Sequence, residues 1–210
     1  MPALAQFTPH LLASLDEMAA DGIDTSGGGT GFLMTAESEA AILEAHSLYA
    51  ERARRGWGEA PEDPMSGREL REAEPTLTER TKFGFMLPGE VSIDPVKFVA
   101  SLIERITELG AEVRLGLTVQ KLGDGASVVC LDEDARQVTI SGDRVVLATD
   151  AWTSQVLRRS RIPHLPVVPG KGYSFTVPVA TMPRTLIHSM DRHCVLIPMS
   201  GRSVSYTHLR

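Results

Sequence analysis

Residues 145–152 read VVLATDAW and combine an apolar run with small and polar groups that suit a ligand site. The branched residues at 145–147 predict a strand, and the residues after them would stand at its carboxyl end. In open α/β sheets, ligands lie beyond that end of the strands, and a following helix can present its first amides to a phosphate. The alternative is an ordinary strand-to-helix turn, with Asp150 or Thr153 as its cap and Trp152 as a lid on the core.

Two glycine clusters fall short of known phosphate-binding motifs. Residues 27–31 read GGGTG, follow a helix, and complete neither GxGxxG nor GxxxxGK[ST], so we expect a flexible link there. Residues 170–172 read GKG and fail the same templates. A turn is the simpler interpretation, although glycine beside Tyr173 permits a ligand to approach the backbone closely.

Metal and hydrolase chemistry find little support in the residue pattern. His188 and His193 are not spaced to share one helix face, and Cys194 adds no second thiol at metal-binding spacing. No serine lies in a GxSxG motif. The acidic residues of the third helical segment are expected to be solvated; they include Glu69, Glu72 and Glu74.

The composition is that of a folded globular protein. Of 210 residues, 42% are hydrophobic and 23% are charged, with a net charge of −6 and dispersed basic residues, so nucleic acid is not an expected partner. Cys130 and Cys194 form no CxxC pair, which favours a reducing compartment. No apolar stretch reaches the roughly 18 residues of a membrane span. We therefore expect a cytoplasmic protein.

The elements that would position the candidate site form a mixed α and β pattern. Asp94 and Pro95 predict the start of a helix that Gly110 ends. Its predicted buried stripe consists of Phe98, Val99, Leu102, Ile103, Ile106 and Leu109.

Two kinds of sheet follow from the rest of the pattern. Alternating segments at 126–131 and 136–140 predict an antiparallel hairpin. With the strand at 145–147, they indicate part of a layered α/β sheet covered on both faces. PVVPGKGYSFTVPV and HCVLIPM predict proline-bounded strands of a separate antiparallel sheet. The expected fold class is therefore α/β (α+β), with the chain alternating between two domains.

The order of six segments is more informative than any single motif. ELREAEPTL, VSIDPVKFVASL, LGAEVRLGLTVQKL, DRVVLATDAWTSQVL, LPVVPGKGYSFTV and HCVLIPMSGR follow one another in the chain. Over residues 5–202, this order resembles the middle of the FAD-dependent oxidoreductases of the D-amino-acid oxidase superfamily. D-amino-acid dehydrogenases and glycine oxidases have the most similar pattern.

The resemblance implies an FAD-binding domain interleaved with a substrate domain whose antiparallel sheet covers the flavin. Residues 1–90 and 159–202 would belong to the substrate domain, and residues 91–158 to the FAD-binding domain. Residues 203–210 no longer follow the family pattern and are expected to be a non-native tail.

The resemblance also implies the site residues. The backbone of Val119 would contact the adenosine end of FAD, and Gly172 would approach the cofactor. Tyr173 and Val195 would lie on the substrate side; Val195 stands where glycine oxidases place a tyrosine. The residues that would line FAD near its diphosphate are Ala148, Thr149, Asp150, Ala151 and Trp152. The flavin would accept a hydride from the substrate Cα to give an imine that hydrolyses, so no catalytic side chain is assigned.

Asp150 departs from the family pattern, where glycine is common. A carboxylate about 4 Å from a diphosphate charge costs about 1 kcal/mol in water and about 4 kcal/mol at an effective dielectric constant of 20. Asp150 would therefore weaken cofactor binding unless it points away or caps the next helix.

The family's first strand and GxGxxG turn have no counterpart before Met1, and its substrate-binding arginine would follow the last residue. We therefore expect an internal fragment of a longer enzyme that exposes apolar surface around 145–147 and does not retain FAD alone. Two alternatives remain open. One is a pyridine-nucleotide-binding α/β enzyme, and the other is a non-catalytic interaction module.

Overall fold

The computed structural model describes residues 10–163, 167–199 and 202–208. The chain divides into two compact units, one formed by Met1–Gly110 with Gly172–Arg210 and the other by Ala111–Lys171. The unit boundaries therefore follow residues 110 and 171, whereas the expected domain boundaries follow residues 90 and 158. The assignment of either part to cofactor or substrate stays a prediction.

Five helices and ten strands are formed in the described ranges. The helices are α1 (Leu11–Ala20), α2 (Glu39–Arg54), α3 (Gly67–Ala73), α4 (Pro95–Glu108) and α5 (Thr153–Arg159), the last preceded by a 3-10 turn at Asp150–Trp152. The strands are β1 (Phe32–Ala36), β2 (Met65–Ser66), β3 (Phe83–Leu87), β4 (Thr118–Leu122), β5 (Ser127–Leu131), β6 (Gln137–Ser141), β7 (Gly172–Val177), β8 (Leu186–Ser189), β9 (Cys194–Met199) and β10 (Arg202–His208). No helix in the described part of the chain is both long and apolar enough to cross a membrane.

The first unit contains a seven-stranded sheet in the order β2-β3-β1-β8-β9-β10-β7. Its neighbours pair antiparallel except β1 and β8, which run parallel. The antiparallel strands predicted around residues 172–177 and 194–199 are confirmed as β7 and β9. β10 pairs with both of them, so most of the expected tail at 203–210 is a strand of this sheet.

The core of the first unit lies between α2 and the strands β1 and β3. Its buried residues are Met34, Ala36, Ile42, Ala45, Phe85 and Leu87. The hydroxyl of Ser38 accepts from the amide of Ala41 and begins α2. At the other end, Glu51 accepts from Arg54 and Arg55, and the hydrogen bond with Arg54 is the main cause that lowers the pKa of Glu51 below its usual range.

The glycine loop at residues 27–31 is closely packed, so the prediction of a flexible link was wrong. A Cβ at Gly27 would lie 1.8 Å from the carbonyl oxygen of Ser92, and one at Gly28 would lie 1.7 Å from that of Pro198. The Ser92 hydroxyl donates to the Gly28 carbonyl at 2.6 Å and accepts from the Gly28 amide at 3.1 Å. Glycine is needed here because two backbones approach each other, a long-range contact that local sequence does not reveal.

Glu74 is fully buried at the end of α3, so the prediction that its carboxylate is solvated was wrong. One carboxylate oxygen accepts from the Thr76 amide at 3.2 Å and the Thr76 hydroxyl at 2.6 Å. The other accepts from the amides of Arg184 at 2.7 Å and Thr185 at 3.2 Å. The carboxylate therefore holds the start of β8 against the end of α3.

Helix α4 begins as predicted, but its apolar stripe is not buried. The Asp94 carboxylate accepts from the amides of Val96 at 3.0 Å and Lys97 at 3.3 Å, and Pro95 occupies the first turn. No residue of the helix is buried. The stripe stays accessible because no other described helix or strand of its own unit packs closely against it. Its exposed members are Val99, Ile103 and Leu109.

The second unit contains an antiparallel sheet in the order β4-β5-β6. The predicted hairpin is confirmed as β5 and β6, with Ser127 opposite Ser141 and Leu131 opposite Gln137. The prediction of a strand at 145–147 was wrong: these residues form no strand, and no described strand pairs with them. Val146 is 88% exposed, so the layered sheet expected around this segment is not formed in the described part of the unit.

We expect Glu74→Gln to lower the free energy of unfolding by about 1 to 3 kcal/mol, because an amide nitrogen cannot accept and buried N–H groups lose their partner. Glu72→Gln is the matched control on the same helix, since the side chain of Glu72 is exposed and pairs with Arg68 across one turn. The control should change stability by less than about 0.5 kcal/mol. Equal losses in chemical denaturation would contradict the structural role of Glu74.

Val146→Thr should leave the free energy of unfolding within about 0.5 kcal/mol of the wild type, because the side chain already contacts water. Val129→Thr in β5 is the matched comparison, since Val129 is 9% exposed in the same unit. Burying its new hydroxyl should cost about 1 to 3 kcal/mol. Thermal and chemical unfolding would measure both, and a similar loss at both positions would show that Val146 is covered.

Candidate functional site

A cavity of about 570 Å³ lies in the second unit, within the size range of roughly 300 to 1,000 Å³ that is usual for small-molecule sites. It is bounded by β4 and the residue before it, by the turn at 148–152, and by α5. The lining residues are Leu117, Thr118, Val119, Gln120, Ala148, Thr149, Asp150, Trp152, Gln155, Val156 and Arg159.

The packing of α5 against β4 forms the walls of the cavity. Val156 is 4% exposed at this interface. The Ser160 hydroxyl accepts from the Leu122 amide at 2.8 Å and donates to the Val156 carbonyl at 2.7 Å. The hydrogen bond from Leu122 joins the end of the helix to the end of the strand, and the turn that precedes the helix lies beside residues 117–120.

A register shift in β4 separates Val119 from Lys121 and leaves Gln120 outside the regular pairing with β5. Irregularities of this kind redirect a side chain and are frequent beside functional sites. Here the Gln120 side-chain oxygen accepts from the guanidinium of Arg159 at 3.4 Å. The shift therefore places an amide and a cation together at the cavity wall.

The structure brings together most of the residues predicted to contact the cofactor. Val119 lines the same cavity as the residues at 148, 149, 150 and 152, although they are far apart in sequence. Ala151 lies in the same turn but does not line the cavity. Their role as FAD contacts stays a prediction.

Trp152 and Asp150 do not behave as the ordinary-turn alternative requires. The indole of Trp152 is 65% exposed, so it is no lid on the core. No side chain caps the 3-10 turn or the start of α5, and the Thr153 hydroxyl instead shares a hydrogen bond of 3.0 Å with that of Thr149. The carboxylate of Asp150 therefore faces solvent at the cavity without the capping role that would have occupied it.

Asp150 also has an unusual backbone. Its φ is +41°, in the left-handed region where glycine is favoured and aspartate is better tolerated than most residues. In the described part of the chain, its carboxylate forms no hydrogen bond or ion pair. The position thus needs a glycine-like conformation but carries a negative charge.

The other predicted site residues belong to the first unit. Gly172 and Tyr173 lie on β7; the Tyr173 side chain is 59% exposed, and its ring lies 6.5 Å from that of Phe175. Val195 lies on β9 opposite His188 and is 7% exposed. The substrate contacts of Tyr173 and Val195 stay predictions. Within the described ranges, no three histidine, cysteine, aspartate or glutamate side chains are grouped as a metal site requires.

Four polar residues of the cavity were not predicted from the sequence, namely Thr118, Gln120, Gln155 and Arg159. Gln155 and Arg159 are four residues apart on α5, a spacing that places both side chains on one face of a helix. That spacing, directly after the candidate segment, is the signal that could have identified them. Gln120 offers no such signal, because its position depends on the register shift.

The cavity residues fit one part of a dinucleotide better than another. An exposed indole, two side-chain amides and the backbone of β4 suit a heteroaromatic base and a ribose, which need a stacking surface and hydrogen-bond partners. Arg159 supplies a positive charge. The Asp150 carboxylate does not suit a diphosphate, because like charges repel.

Comparisons with known proteins give a consistent assignment. Residues 2–207 match the family model described as FAD dependent oxidoreductase. A D-amino acid dehydrogenase from Rhizobium rhizogenes is 33% identical over 103 residues, which are 49% of this chain and 24% of that protein.

Two solved structures share the fold. The glycine oxidase from Geobacillus kaustophilus superposes with a TM-score of 0.77 at 23% identity, covering 99% of this chain and 55% of that one. The iminodiacetate oxidase from a Chelativorans species superposes with a TM-score of 0.76 at 21% identity, covering 97% and 55%.

The chain spans about half the length of these two solved structures. At this low identity, the superposition shows a shared fold and no more. The shared fold confirms the mixed α and β class expected from the sequence. The family model extends over nearly all of the chain, including the segments 117–120 and 148–159 that form the cavity. The chain therefore belongs to the family of FAD-dependent oxidoreductases.

Proposed function

We propose that this chain takes part in the FAD-dependent oxidation of an amino acid or a related amine. The match of residues 2–207 to the family model is the observation that carries the proposal. The similar proteins are named for D-amino acids, glycine and iminodiacetate, compounds in which an amine nitrogen is bonded to a carbon that carries a carboxylate. The proposed substrate class is therefore an α-amino carboxylic acid.

The cavity of the second unit is the proposed site for the adenosine end of FAD. The backbone of β4 at Val119 would bind the nucleoside, with Gln120 and Gln155 as hydrogen-bond partners and the indole of Trp152 as a stacking surface. When bound, FAD supplies a hydride acceptor for the oxidation of the substrate carbon. The residues of this cavity contribute binding and orientation, not a proton transfer.

The exposed strand β7 is the proposed substrate-side surface. Tyr173 and Phe175 present neighbouring aromatic rings on one face of that strand, each about three-fifths exposed. Such rings can shield an apolar or aromatic side chain of a substrate from water. Val195 is buried on β9, so we assign it to shaping the sheet beneath such a contact.

We further propose a cytoplasmic location. Cys130 and Cys194 are both free, as expected in a reducing compartment.

Trp152 offers a direct test of the proposed adenosine site. The chain contains two tryptophans, so Trp57→Phe leaves Trp152 as the single fluorescent indole. We expect adenosine at millimolar concentration to quench its emission in a saturable manner when it is excited at about 295 nm, because a base would contact the indole.

The matched control is Trp152→Phe, whose remaining Trp57 lies in the other unit and should not respond. Circular dichroism would verify that both variants are folded. An unchanged emission from Trp57→Phe across the whole titration would refute the adenosine site.

A further inference from the structure

We propose that the carboxylate of Asp150 opposes the binding of ligand phosphates in the cavity of the second unit, so that a nucleoside diphosphate binds there more weakly than it would without that charge, whereas an uncharged nucleoside is unaffected. The inference rests on the proposed nucleotide role of the cavity and assigns one residue as its determinant of charge selectivity. It concerns the protein's own carboxylate, which the proposed adenosine contacts do not use.

An uncommon backbone conformation holds residue 150 at the cavity. Non-glycine residues with positive φ are uncommon and are concentrated at functional sites. Four described residues have that conformation, and Asp150 is the one of them that lines the cavity. The 3-10 turn that begins at Asp150 continues directly into α5, whose packing on β4 holds the turn in place.

The negative charge of Asp150 has no counterion in the described part of the chain. Neither a hydrogen bond nor an ion pair satisfies its carboxylate there. Arg159 is the cation of the cavity lining; its guanidinium donates to the neutral Gln120 side chain at 3.4 Å and forms no ion pair with Asp150. A ligand phosphate near the turn would therefore meet an unshielded carboxylate.

The sign of the effect follows from Coulomb repulsion. Because Asp150 is exposed, the dielectric constant of water is the appropriate one, and one charge pair at about 4 Å then corresponds to roughly fivefold in affinity. A nucleoside carries no phosphate charge, so its affinity should not depend on the charge of residue 150. The two ligand classes therefore separate a charge effect from a steric one.

The experiment compares adenosine with ADP on the 210-residue chain by ligand-observed NMR titration at low ionic strength. Asp150→Asn removes the charge and retains a side chain that tolerates positive φ. Asp143→Asn is the matched control, because Asp143 is an exposed carboxylate of the same unit that does not line the cavity. Arg159→Gln serves as the variant of opposite sign.

We expect Asp150→Asn to tighten ADP binding about fivefold and to leave adenosine binding within about twofold. Asp143→Asn should change neither affinity beyond that margin, and Arg159→Gln should weaken ADP binding. Added salt of about 0.5 M should reduce the difference between wild type and Asp150→Asn, because mobile ions screen exposed charges.

Two results would overturn the inference: equal tightening of both ligands by Asp150→Asn, or adenosine binding with no gain for ADP. Absence of adenosine binding in the wild type and in every variant is a different outcome. It would remove the nucleotide role of the cavity, and the inference with it, and it would agree with an unresponsive Trp152.

Discussion

The contact between the end of α5 and the end of β4 is the interaction on which the proposed site depends. The Leu122 amide donates to the Ser160 hydroxyl, and Val156 is buried beside the strand. This contact places the turn at 148–152 beside residues 117–120, so two short segments form one cavity. Because the stacking surface, the amides and both charges lie on residues 117–120 and 148–159, separation of β4 from the turn and α5 would leave no site. The chemistry of the cavity is thus a consequence of helix-on-sheet packing in the second unit.

The same unit leaves an apolar segment without a partner in the described part of the chain. Val145 and Val146 are 38% and 88% exposed, and no described strand pairs with them. Full burial of an apolar side chain of this kind normally stabilises the folded state by roughly 1.5 to 3 kcal/mol. The cavity is therefore formed by elements that do not require this segment to be covered. The proposed adenosine site can therefore be tested although residues 145–147 are exposed.

Local features were the ones that sequence predicted well. The Asp94 cap with Pro95 and the hairpin of β5 and β6 depend on neighbouring residues, so their patterns were sufficient. The family resemblance predicted that Val119 and the segment 148–152 belong to one site, and all but Ala151 of these residues line one cavity. Long-range features were missed for a common reason. The burial of Glu74 and the close packing of Gly28 depend on residues distant in sequence, and whether residues 145–147 are a strand depends on a hydrogen-bonded neighbour.

Residues 117–120 and 148–159 are proposed to form a nucleoside site in this FAD-dependent oxidoreductase. Amide hydrogen–deuterium exchange of the 210-residue chain, with and without millimolar adenosine, measures this directly at the level of short segments. We expect adenosine to slow exchange in these two segments and to leave exchange in the seven-stranded sheet unchanged. Slower exchange confined to other segments, or none at saturating adenosine, would contradict it.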